Sequence, residues 1–328
     1  MRFVILGAGA VGGTIGGLLA DAGHEVLLLA RGLHARAIND RGLRLATPSR
    51  VLQLWLPVVE RPEDLVLRND DVLLLTVKSH QTSALLEALP RQDLPVVCAQ
   101  NGVANERMAL RRCAHVYGMV VMLPAVHLEP GDVDAQGTPY SGLLDVGCYP
   151  TGVDDTAAEV ASALSASGFV SQPTPDIMRW KHAKLLRNLN NALEALCGHD
   201  HDDDGREAAR QLSRRARAEA EACYAAAGIA WASDDEWNDR RKEQVQWAPV
   251  EGRGRTGGST WQSLARGSAE LEGDYLNGEI VLLGRLHGVQ TPVNAALQQH
   301  ARLAAREHRA PGAMRAQDLL ATVDTMGA

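Results

Sequence analysis

Residues 3–32 read FVILGAGAVGGTIGGLLADAGHEVLLLARG. A short apolar strand runs into G-x-G-x-x-G at Gly7, Gly9 and Gly12, a helix opens there, and a second strand follows from Glu25. Strand, glycine turn, helix and strand in that order are what a dinucleotide pyrophosphate requires. Gly7 permits the tight turn, Gly9 lets the backbone approach the phosphates, and Gly12 lets the helix pack on the strand. The first helical amides, including those of Ala10 and Val11, face the phosphates with the partial positive charge of a helix N-terminus. A ligand-free turn is the competing reading, and the complete βαβ frame favours the dinucleotide.

An NAD site usually places Asp or Glu at the end of the second strand, where it bonds the ribose hydroxyls. Here the strand EVLLLA ends at Arg31. A cation in that place suits a 2′-phosphate, so the expected coenzyme is NADPH. The alternative is an ordinary surface arginine.

Outward from this stretch, strand-like and helix-like segments alternate. Strands are expected over 2–6, 25–30, 51–58, 71–78, 95–99, 115–122 and 143–147, and helices over 10–22, 81–89, 105–112 and 154–167. Repeated βα units argue for a parallel sheet covered by helices. Between 120 and 147 the strands follow one another without helices, as in an antiparallel extension. From about Ile177 helical patterns dominate, over 178–196, 206–227, 271–287 and 292–308. The expected fold is an α/β Rossmann-type N-terminal domain (1–175) followed by an all-α C-terminal domain (176–328), divided at the proline-bearing stretch 173–176.

Composition agrees. A length of 328 residues suits two domains. Hydrophobic residues make up 45% and aromatics 4%, so the core must be mostly aliphatic. A net charge of -7 argues against nucleic-acid or anionic-membrane binding. Cys98, Cys113, Cys148, Cys197 and Cys223 are odd in number and scattered, which fits reduced thiols in the cytoplasm and no disulfide framework or zinc site. Neither a signal-peptide layout nor a membrane-length apolar run is present.

In open α/β sheets ligands bind outside the carboxyl ends of the strands. DVLLLTVKSHQ ends at Lys78, and PVVCAQNGV ends at Gln100–Asn101–Gly102. Each has a bland reading as a solvated lysine or a plain turn. In the helix DIMRWKHAKLLRNLNNALEAL, Leu185, Leu189, Leu193 and Leu196 share one face, and Lys184, Asn188 and Asn191 share roughly the opposite one. That is either the polar side of an amphipathic helix or a cleft lining. Trp180, on the same side, favours the cleft. Reducing a ketone requires a proton for the oxygen, and a partly buried lysine can supply it.

These residues together resemble the ketopantoate reductase family. The resemblance covers most of the chain and rests on GAGAVGG, VKSHQ, AQNGV, KLLRN, STWQ and LEGDYLNGEI. It implies a Rossmann-like domain and a helical domain with the active site between them. It implies Lys184 as general acid, Asn188 and Asn101 as substrate-binding asparagines, and Lys78 near cofactor and substrate. Ser259 would hold the substrate carboxylate and Glu272 its distal hydroxyl. The reaction implied is hydride transfer from NADPH to the C2 ketone of 2-dehydropantoate, giving pantoate. The chain departs from the family in three places. Ala192 stands where a second asparagine is usual, with Asn191 one residue earlier. Gly258 replaces a serine before Ser259, and the spacing from Gln262 to Glu272 is one residue longer. All three fall in the substrate half.

Other features are less decisive. Residues 197–204, CGHDHDDD, hold potential metal ligands but read more simply as an acidic loop that caps the next helix. No metal is expected. The loop GRGRTGG at 252–258 could be a lid carrying Arg253. The charged runs at 214–217 and 240–242 read as solvated faces. A homodimer is compatible with the sequence. Two rival functions stay open. One is an NADPH-dependent reductase of another small 2-keto acid or an imine. The other is a non-catalytic NADPH-binding regulator, which would have little need to keep Lys184, Asn188, Ser259 and Glu272.

Overall fold

The computed structural model describes residues 1–127, 129–198, 202–254, 257–268 and 271–326. Contacts divide the chain into two units. The first comprises Met1–Lys181 and Ala232–Arg255, the second His182–Trp231 and Thr256–Ala328. The segment from Ala232 therefore packs with the N-terminal unit and not with the helices that flank it in sequence.

In the first unit the chain forms β1 (Arg2–Leu6), α1 (Ala10–Asp21), β2 (Glu25–Leu29), α2 (Gly32–Arg41), β3 (Leu43–Ala46), β4 (Val51–Leu54), β5 (Val58–Val59) and β6 (Asp71–Leu75). It continues with α3 (Thr82–Ala88), β7 (Val96–Cys98), α4 (Asn105–Leu110), β8 (Val116–Met119), β9 (Ala125–Val126), β10 (Asp132–Ala135), β11 (Gly137–Pro139), β12 (Val146–Cys148) and α5 (Asp155–Ala166). A seven-stranded sheet has the order β12-β8-β7-β6-β1-β2-β5. All neighbours pair in parallel except β12 with β8, which is the antiparallel extension expected from the sequence.

The central strands are apolar on both faces because helices cover both. Alternation decides which face each residue serves. Phe3 and Ile5 enter one core with Ile15 and Leu19 of α1, while Val4 and Leu6 enter the other with Leu86 and Ala109. Strand β1 pairs with both β2 and β6, so the order of the sheet reverses at β1. The crevice at that switch point is where ligands bind in such sheets.

A second sheet, β4-β3-β10-β9, was not anticipated from the sequence. Its presence explains the further glycines of α1. A Cβ on Gly16 would lie 2.9 Å from Ile5, and one on Gly17 would lie 2.7 Å from Leu45. The helix lies between two sheets, and at Gly16 and Gly17 their side chains come too close for a side chain on the helix. The expected single strand 51–58 is accordingly two strands in two sheets, and α2 fills a stretch that carried no expectation.

The helix α6 (Ile177–Asn188) carries the division between the units. The second unit continues with α7 (Asn190–Cys197) and α8 (Asp203–Ala227). The chain then returns to the first unit through α9 (Asp234–Arg241) and β13 (Val245–Trp247), which pairs with β11. It finishes in the second unit with α10 (Ser259–Ala265), a 3₁₀ turn (Glu272–Tyr275), α11 (Asn277–His287), α12 (Pro292–Arg306) and α13 (Ala316–Met326). Leu193, Leu196, Leu212, Val293, Leu297 and Val323 form its core. Asp202 caps α8 by accepting from Gly205 N–H, as the acidic run suggested.

One expectation changes. Arg240 does not lie on a solvated face, because it donates twice to buried Asp145, at 2.6 and 2.8 Å. Trp180 is half-buried, and its ring packs on Trp237 with centroids 6.3 Å apart. Among the described residues no helix is long and apolar enough to cross a membrane, and no three His, Cys, Asp or Glu are grouped to hold a metal. His199, Asp200 and His201 of the acidic run lie outside the described residues.

Candidate active site

In the first unit the glycine turn sits at the switch point. Gly7 has φ +118°, and a Cβ there would lie 2.8 Å from Val77. Gly12 is tighter still, since its Cβ would stand 2.1 Å from the Gly7 carbonyl oxygen. Thr76 Oγ1, at the end of β6, donates to the carbonyls of Leu6 and Gly7 and so ties the turn to the neighbouring strand. Gly9 is different, because a Cβ there would meet nothing within 4 Å. Gly9 is also the N-cap of α1, whose start has no side-chain cap and no acidic residue in its first turn. Open space before uncapped amides suits a pyrophosphate. Arg31 is exposed and forms the N-cap of α2, directly after β2.

The loops after β6 and β7 are knitted together by buried polar side chains. Gln100 Nε2 donates to Val77 O and Thr82 Oγ1, Thr82 Oγ1 donates to Asn105 Oδ1, and Asn105 Nδ2 donates to Ser79 Oγ and Asn101 O. Lys78 and Asn101 are thus brought to one rim, both half-buried. The Asn101 Oδ1 atom is buried without a hydrogen-bond partner. An unmet buried acceptor is costly, and such groups cluster at functional sites.

In the second unit Lys184 is half-buried and Asn188 is 3% exposed, so this helix face is not a solvated one. Lys184 Nζ donates to Asn188 Oδ1 at 2.5 Å. Burial, helped by the charge of Arg187, pushes the Lys184 ammonium down to about 8. The Asn188 Nδ2 atom is buried and lacks a partner. A poised proton donor therefore stands beside an unmet amide donor.

The expected helix 178–196 is interrupted at Leu189, so Asn188 ends α6 and Asn191 is the second residue of α7. The Leu189 carbonyl accepts from Asn277 Nδ2 at 3.1 Å. Asn277 donates also to Asn294 Oδ1, and Asn294 Nδ2 donates to Ala216 O and Glu219. This buried chain fastens the segment that bears Glu272 to the interruption. Ser259 arrives from the other side. The Gly258 N–H donates to Glu194 of α7 at 3.0 Å, and a Cβ on Gly258 would lie 3.4 Å from Asn191 Oδ1. Asn191 and the residue before Ser259 are thus neighbours, and a Cβ on Gly258 would press on the Glu194 carboxylate at 3.1 Å. Glu272 is 8% exposed.

Arg253 donates to Asp134 at 2.7 Å and to Glu251 at 3.0 Å. Arg255 and Thr256 of the suggested lid lie outside the described residues.

Sequence reading missed Lys181, one turn before Lys184. Its ammonium donates to the carbonyls of Gln100 (2.9 Å) and Met119 (3.2 Å) and pairs with Glu106. A lysine on the wheel gives no sign of such burial, because its partners come from the loop after β7, from β8 and from α4. His34 was also missed.

The family model for ketopantoate reductase PanE/ApbA matches residues 3–151, and the model for the C-terminal part of that family matches 176–305. The chain is similar to a PanE/ApbA family ketopantoate reductase from Ralstonia eutropha, with 30% identity, a TM-score of 0.76, and 94% of this chain and 100% of that one covered. It is 29% identical over 306 residues to a 2-dehydropantoate 2-reductase of Pyrococcus horikoshii, covering 90% of this chain and 95% of that protein. It is also similar to a D-mandelate dehydrogenase solved with NADH and anilino(oxo)acetate, with 25% identity, a TM-score of 0.80, and 94% of this chain and 99% of that one covered.

Proposed function

The chain belongs to the ketopantoate reductase family of oxidoreductases, and from that premise we propose that it reduces the C2 ketone of 2-dehydropantoate with NADPH, giving pantoate. One observation carries the chemistry: a half-buried lysine with a lowered pKa beside a buried asparagine amide that lacks a partner.

NADPH, when bound, supplies the hydride that adds to the ketone carbon. Gly7, Gly9 and Gly12 with the amides of Ala10 and Val11 take the pyrophosphate. Arg31 takes the 2′-phosphate, since no carboxylate stands at the end of β2 to prefer ribose hydroxyls. Lys78 and Asn101 line the coenzyme side. Lys184 Nζ gives its proton to the ketone oxygen, becomes neutral, and regains a proton from solvent. An acid near 8 is matched to work close to neutral pH. Asn188 engages one Lys184 N–H through Oδ1 and offers Nδ2 to a substrate oxygen. Asn191 and Ser259 receive the carboxylate end, and Glu272 the distal hydroxyl.

A second reading keeps the reaction and changes the substrate to another 2-keto acid. The likeness to D-mandelate dehydrogenase favours it, as do Ala192 and Gly258, which depart from the family pattern beside Asn191.

The test is NADPH oxidation at 340 nm with 2-dehydropantoate, comparing the native chain with Lys184→Ala. The proposal expects turnover that falls by ~10²–10⁴ in the variant. Tight NADPH binding without turnover of this substrate would move the reaction to a different 2-keto acid.

A further inference from the structure

His34 sits in the first turn of α2, three residues after Arg31, and both of its ring nitrogens are committed to backbone. Nε2 lies 2.7 Å from the Ala8 carbonyl oxygen. Nδ1 accepts from the Gly131 N–H at 2.9 Å. A backbone N–H can only donate and a carbonyl can only accept, so the ring must be the neutral tautomer with its proton on Nε2. The surroundings agree. Burial first, then the neighbouring His127 ring at 4.2 Å, push the imidazole down to about 4.

Ala8 stands between the first two glycines of the turn. Its N–H donates to Leu29 O at the end of β2. Its carbonyl belongs to the same peptide unit as the Gly9 N–H, which donates to Gly7 O. The His34 bond therefore completes the fixing of the Ala8–Gly9 peptide, whose plane sets the direction of the amides that open α1. The Gly131 bond joins the same ring to the loop before β10, and a Cβ on Gly13 of α1 would lie 2.9 Å from Val133 on that strand. The start of α1 is thus fixed from both sides through one imidazole.

We propose that His34 is a positioning residue for the coenzyme: its neutral ring clamps the Ala8–Gly9 peptide to the Gly131 loop and so pre-sets the glycine turn for a dinucleotide pyrophosphate. The inference rests on the coenzyme reading above. A pre-set turn binds more tightly because the loop does not have to be ordered on binding. The clamp acts on coenzyme affinity and leaves proton transfer and keto-acid binding alone.

The experiment begins with the native chain. NADPH binding is measured by fluorescence, and ¹⁵N-labelled histidine resonances are recorded with and without NADPH at neutral pH. The expected result is binding, with His34 in the Nε2–H tautomer in both states. The other tautomer, or a mixture, overturns the clamp without any variant being made. Absence of binding in the native chain would remove the coenzyme reading first, and the clamp's role with it. His34→Ala and His34→Phe are then expected to raise the NADPH Kd by ~10-fold or more, the loss of a buried bond and its unmet partner. The kcat at saturating NADPH and the keto-acid KM should stay within about threefold. His34→Gln, which keeps one donor and one acceptor, should recover most of the affinity. Native affinity in His34→Phe would make the ring a packing group only and overturn the proposal. Should His34→Ala fail to fold, the tautomer and His34→Gln decide the matter.

Discussion

The Lys181 ammonium lies 2.6 Å from a Glu106 carboxylate oxygen, with side-chain exposures of 2% and 0%. Burial raises the Glu106 carboxyl and Lys181 pulls it back down. Lys181 also caps the carbonyls of Gln100 and Met119, so the pair closes the carboxyl ends of β7 and β8. Removing one partner strands a buried charge, at ~3–5 kcal/mol, whereas removing both can be nearly neutral. Lys181→Met is therefore expected to lower unfolding free energy by about that much. The double variant Lys181→Met with Glu106→Leu should regain a large part. Urea unfolding of the three chains measures this, and equal losses in single and double variants would reject the pairing.

Lys184 makes a pH prediction. Its ammonium is lowered from 10.5 to about 8, so the proton donor is lost as pH rises through 8. Ketone reduction at saturating substrate should fall above pH 8, and alcohol oxidation should rise over the same window. For stability the sign is the reverse of a salt bridge's. Below pH 8 the lysine is charged in both states and the folded chain carries the full desolvation penalty, up to about 3 kcal/mol. The penalty disappears between 8 and 10.5. Lys184→Met should thus raise the melting temperature at pH 7 and lose that advantage by pH 10, as calorimetry at the two pH values would record.

Arg31 should separate the two coenzymes. Arg31→Ala removes charge-assisted bonds worth ~1.5–3 kcal/mol, so the NADPH KM should rise roughly ten- to a hundredfold with little change for NADH. Equal effects on both would show that Arg31 does not meet the 2′-phosphate.

Two glycines of one motif should fail differently. Gly12→Ala places a methyl 2.1 Å from the Gly7 carbonyl oxygen and should destabilise the fold. Gly9→Ala meets open space at φ -70°, so the chain should melt normally and lose coenzyme affinity. Circular dichroism melts beside NADPH titrations distinguish the two. A destabilised Gly9→Ala would mean that the space before α1 is not kept for a ligand.

The first 32 residues by themselves determined the βαβ frame, because strand period, glycine spacing and helix start are all local properties. The Lys184–Asn188 pair was also legible, since residues four apart on a helix meet whatever surrounds them. Only the tertiary structure decided that this face is buried and that Asn188 Nδ2 is left unmet. It alone placed Asn277 against Leu189, 88 residues away, and His34 against Gly131, 97 residues away. It alone revealed the second sheet that α1 packs against, and the burial of Lys181, whose appearance on the wheel is that of any solvated lysine. The division has one physical reason. Periodicity and turn chemistry act over a few residues, whereas the burial that shifts a pKa, pairs a charge or orients a peptide is set by groups that only folding brings together.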